Sequence, residues 1–197
     1  PLASISASYY TESRDYFVGL LFFVAAFLFA YNGHTALEGM VSNVACLAAI
    51  VVAIFPTACD TCQSNTTGVI HYIGAAILFS ILAYFCLFAF RVNTKGQAGK
   101  KKRRDVVYVA CGSIIVICLL GALATKFTMS EEAMFATRIT LLIEWAALWA
   151  FGFAWLVAGK TFSWFVDEDE KLKLEGFVQS RPIKKVRRTH ARKALNS

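Results

Sequence analysis

The sequence predicts an all-α fold, a polytopic transmembrane helical bundle, on three observations. First, 57% of the residues are hydrophobic and only 17% charged, with mean hydropathy +0.55. A soluble domain of this size needs more polar surface than that. Second, apolar runs of roughly span length recur along the chain, as a helix crossing a hydrocarbon core about 30 Å thick requires. Third, the net charge of +7 is concentrated in blocks: of 20 Lys and Arg, seven lie in 91–104 and seven in 181–193. Basic blocks beside spans fix orientation and meet anionic headgroups, a reading favoured here over nucleic acid.

The elements follow in order. Residues 1–15 are small and polar, and Tyr9, Tyr10 and Tyr16 suit a membrane–water interface. Thr11 or Ser13 is expected to cap the next helix, with Glu12 or Asp15 in its first turn. The first span is 16–31, and Asn32-Gly33 supplies turn chemistry after it. The second is 39–55, ended by Pro56; its small residues Ala45, Cys46, Ala48 and Ala49 let helices approach closely. The third is 69–90, after a polar loop holding Cys59 and Cys62. A basic, Gly-containing loop, 91–105, precedes the fourth span, 106–125. The fifth is 135–158. Thus 1–160 forms the bundle and 161–197 a charged tail, basic at its end and expected to be extended.

Positive charge places 91–105 and the tail in the cytoplasm, with residues 1–15 outside. An external start needs a preceding span or a cleaved signal, so a sixth span before Pro1 is expected. The compartment expected is the bacterial inner membrane.

Intramembrane ionisable groups mark the candidate site. Glu144 lies inside the fifth span, where a carboxylate costs about 2.5–3.5 kcal/mol on insertion scales and must face protein or water. Thr140, Glu144, Ala147 and Phe151 share one helical face. Arg14, Asp15, His71, Arg138 and Glu144 are expected at similar depth. They form either a ligand, proton or metal site, or an internal brace. The brace is favoured, with Arg138 or Arg14 neutralising Glu144 and His71 bonded to backbone. Cys59 and Cys62, spaced as CxxC in an external loop, suggest a local disulfide. The aromatic run from Trp145 to Trp155 reads as packing and lipid contact. Lys100, Lys101, Lys102, Arg103 and Arg104, with Lys184, Lys185, Arg187 and Arg188, are expected at lipid headgroups. No CxxCH, P-loop, GxGxxG or HExxH motif is present, and no metal or other cofactor is expected.

The segments SISASYYTESRDYFVGLLF, AIFPT at 53–57, VIHYIGAAILF at 69–79 and EWAALWAFGFAWLVAG at 144–159 resemble a group of uncharacterised bacterial polytopic membrane proteins. The resemblance covers most of the membrane part and implies a six-span bundle. That group is distantly similar to the alkaline ceramidase and adiponectin-receptor superfamily, whose members hold zinc with a Ser, an Asp and three His. Ser4 or Ser6, Asp15 and His71 match that pattern here, and two of the histidines have no counterpart. The function expected is a non-enzymatic accessory or structural subunit contacting lipid and other membrane subunits. The alternatives are a metal-dependent lipid hydrolase and a small-solute or proton transporter.

Overall fold

A computed structural model describes residues 2–58, 65–168 and 170. The chain divides into two compact units, Pro1–Phe165 and Val166–Ser197, and the bundle is the first. Every described element is helical: α1 (Arg14–Ala30), α2 (Ala36–Ile54), α3 (Asn65–Leu87), α4 (Gly99–Thr128), α5 (Glu131–Thr137) and α6 (Ile139–Ala158), with single 3-10 turns at Ser6–Tyr10, Ala89–Arg91 and Ser163–Phe165. Four helices, α2, α3, α4 and α6, are long and apolar enough to cross a membrane. The protein is therefore an integral, multi-pass membrane protein with an all-α bundle fold. The 17 residues of α1 run beside α2 and span roughly 25 Å at the usual helical rise.

Helices α1, α2, α3, α4 and α6 pack in sequence, each against its predecessor and running opposite to it. One end of the bundle carries the amino-terminal segment; the other carries the basic loop. Small residues set the packing. Ala45, Ala48 and Ala49 of α2 are buried, whereas Cys46 is only partly so. The Ser42 hydroxyl donates to the Leu28 carbonyl at 2.5 Å, tying α2 to α1. Gly112 lets α4 close on α3, since a Cβ there would lie 2.5 Å from Leu87 Cγ and 3.1 Å from Cys86 Cβ. Near the basic end, Trp155 has Tyr31, Phe90 and Phe151 rings within 5.6 Å, and buried Phe85 sits among them.

Several boundaries differ from the sequence expectation; α3, expected at 69–90, runs Asn65–Leu87. Helix α2 starts at Ala36, because Thr35 caps it, its hydroxyl accepting from Glu38 N at 3.2 Å. The Glu38 carboxylate in turn accepts from His34 N at 2.7 Å, a variant of the capping box. Helix α4 begins at Gly99, so Lys100 to Asp105 are helical instead of loop. Lys and Arg are good helix formers, and Arg91 holds the helix in place with a two-pronged bond to Asp105, at 2.8 and 3.3 Å. The expected fifth span is broken at Arg138, whose φ of 52° and ψ of 29° are left-handed. The backbone there ends α5 and starts α6 in a new direction. The first helix also differs in its cap: Ser13 occupies the cap position of α1 without a side-chain bond.

Candidate functional site

Residues 4–13 form a strap across the end of the bundle where α1, α3 and α6 begin. Its local structure follows from short polar side chains. The Ser4 hydroxyl accepts from Ala7 N at 3.0 Å, and Thr11 Oγ1 donates to Ser8 O at 2.9 Å, which closes the single 3-10 turn. Thr11, expected to cap α1, instead spends its oxygen on Ser13 N at 3.1 Å and on this turn.

Glu144 is the strap's anchor. Its carboxylate accepts from Ile5 N at 2.5 Å and from the Ser6 hydroxyl at 3.1 Å, and it also accepts from the Ser6 backbone N–H. The partner of the intramembrane carboxylate is thus the amide-rich start of a turn, and not an arginine. Arg138 is exposed at the α5–α6 break. Arg14 is exposed and turned to Tyr9, donating to its hydroxyl at 2.7 Å with the guanidinium 4.3 Å from the ring centroid. The expected ion pair fails because both arginines lie at helix starts reaching water, while the strap's amides reach the carboxylate first.

His71 is 2% exposed, and its Nδ1 donates to the Phe55 carbonyl at 2.7 Å. That bond satisfies a carbonyl left open where α2 ends. Asp15 is exposed in the first turn of α1 and borders a shallow depression with Tyr9, Arg14, Val18, Gly19, Ala53 and Ile54. The five expected site residues therefore do not converge. Among the described residues, no three His, Cys, Asp or Glu side chains lie close enough to hold a metal ion. Of the two serines matched by resemblance, Ser4 is spent on the strap's own turn and Ser6 donates to Glu144.

A second strap contact was not legible in the sequence. The Tyr10 hydroxyl donates to the Thr57 carbonyl at 2.6 Å, the Thr57 hydroxyl donates to Tyr72 at 3.1 Å, and Lys126 Nζ lies 4.9 Å from the centre of the Tyr72 ring. This chain links strap, α2–α3 loop, α3 and α4. Burial, with the neighbouring Tyr9 and Tyr72 adding to it, raises the Tyr10 pKa above 10.0. Of these linked residues only Tyr10 was foreseen, as interfacial; its bond partner lies 47 residues away.

At the basic end, Lys102 and Arg103 are exposed and Lys100 and Lys101 half-buried. Arg104 is 3% exposed, so its charge faces protein instead of the headgroups expected for it. Cys59, Cys62, Lys184, Lys185, Arg187 and Arg188 lie outside the described residues. Cys46, Cys86, Cys111 and Cys118 carry free thiols.

No protein-family model, curated protein or solved structure matches the chain.

Proposed function

We propose that this chain is a non-enzymatic subunit of a membrane assembly, contacting lipid and partner helices through its outer faces. One observation carries the reading: the membrane-embedded polar groups are spent on closing the bundle. Glu144 holds the strap and His71 holds the end of α2. A transporter or hydrolase needs such groups turned to a shared cavity. The outer faces of α4 and α6 are apolar instead, with Ile117, Leu120, Leu123, Trp145 and Trp149 all more than half exposed. Large rings on such a face suit lipid tails and partner helices alike.

In this reading α1 is a fifth span, residues 91–105 and the tail are cytoplasmic, and residues 1–15 are outside. The excess of Lys and Arg supports that orientation. The basic loop and tail meet anionic headgroups in the inner membrane of a bacterium. The relationship to the six-span bacterial group belongs to the same proposal and rests on the segments quoted for it.

Isolation of the tagged full chain from its native membrane in mild detergent tests the role. A partner subunit recovered in fixed ratio is expected. Stoichiometric zinc that disappears on His71→Ala would overturn the reading in favour of hydrolysis.

A further inference from the structure

The basic end carries an apolar groove with a cationic rim. Gly99, Lys102, Arg103, Val106 and Val107 share one face of α4, recurring at the three- and four-residue spacing of a helix. Phe165, from the 3-10 turn that packs on α4, completes the wall of this open groove, whose volume is about 410 Å³. Val106 and the neighbouring Trp164 are 60% and 73% exposed. The side chains of Lys102 and Arg103 enter none of the hydrogen bonds or ion pairs among the described residues. Helix α4 has 30 residues, so at roughly 45 Å it exceeds the hydrocarbon thickness by several turns. Its apolar run begins at Val106, immediately after the charges. The groove therefore straddles the boundary between headgroups and tails, cations on the water side and valines on the lipid side.

We propose that this groove is a binding site for one anionic phospholipid of the leaflet facing the 91–105 loop. Lys102 and Arg103 receive the phosphate, and Val106, Val107 and Phe165 take the first methylenes of an acyl chain. Charge complementarity selects the anionic class. A free phosphate would use the rim alone and leave the apolar floor wet, and a soluble acidic peptide would not reach the tail side. The inference rests on the lipid-contact reading above and sharpens it from diffuse attraction to a defined site.

Native mass spectrometry of the delipidated full chain, titrated with phosphatidylglycerol or phosphatidylcholine, tests it. One phosphatidylglycerol is expected to bind about tenfold more tightly than phosphatidylcholine, and Lys102→Gln/Arg103→Gln to abolish the difference. Val106→Trp fills the floor with every charge intact and is expected to weaken phosphatidylglycerol binding equally. Lys126→Gln removes a charge at the opposite end of α4 and is expected to leave it unchanged. Undiminished binding to the Val106→Trp chain overturns the groove while sparing headgroup contact. Equal loss in the Lys126→Gln chain does the same, as does displacement of the lipid by inorganic phosphate. Equal affinity for the two lipids in the parent chain would overturn headgroup contact as well.

Discussion

Glu144 shows how a half-buried carboxylate can be held without a cation. Two backbone amides and a hydroxyl supply its hydrogen bonds. Replacing it with Leu strands the strap's amides and is expected to destabilise the protein by about 1–3 kcal/mol, whereas Glu144→Gln keeps an acceptor and should lose less. Thermal unfolding in detergent measures the difference, and a Glu144→Leu protein as stable as the parent would refute the anchor. Tyr10 makes a pH-dependent contribution. Its pKa is raised in the folded state, so the neutral phenol that donates to Thr57 is favoured there. The associated stability is complete below the unfolded value near 10 and falls as pH rises through the folded value. An alkaline stability profile should show a larger loss in the parent than in Tyr10→Phe. At this scale the sequence announced Glu144 and His71 as residues needing partners. It assigned His71 a backbone partner without its position and assigned Glu144 an arginine, because backbone N–H and C=O groups are present at every position and carry no residue signature.

At the scale of elements, the long apolar runs were readable and their ends less so. Thr35-x-x-Glu38 is a capping-box signature that stands in the sequence, yet the Asn32-Gly33 turn beside it drew the boundary three residues late. Thr35→Ala is expected to cost about 1 kcal/mol in unfolding free energy, read from a denaturant titration in mixed micelles. The break at Arg138 was hidden, since arginine favours ordinary helix and nothing in its neighbours marks a left-handed residue. Such a conformation is easier for glycine. Arg138→Gly should therefore hold or raise stability by up to about 1 kcal/mol, while Arg138→Val, with its branched Cβ, should lower it. A shared melting temperature for the two variants would argue against a left-handed residue there. The basic stretch that looked like loop is helix because Lys102 and Arg103 meet water, Arg104 turns to protein, and its backbone bonds are kept within α4.

For the whole molecule, composition and charge blocks were enough to predict an all-α membrane bundle, and four spanning helices bear that out. The intimacy of the packing came from particular small residues. Gly112→Ala places a methyl against Leu87 and Cys86, and it is expected to destabilise the α3–α4 contact by about 1–3 kcal/mol. Gly121→Ala is its control, because the nearest atom to a Cβ there is at 3.6 Å, ordinary contact. Equal melting of the two variants would show that α3 and α4 are not so closely apposed. The anchor has a consequence for the order of assembly. Ile5 and Glu144 are 139 positions apart, the first turn of the chain bonded to its last long helix. During synthesis the strap emerges before α6, and Ile5 N and the Ser6 hydroxyl do not meet Glu144 until α6 is made and inserted. Its amides remain solvated until then, and their docking is the closing step of folding, after the largest loop in the bundle has been drawn shut. Protection of residues 2–13 from protease is thus a timestamp: it should appear only once chains are long enough to include α6, and never on nascent chains ending before Glu144.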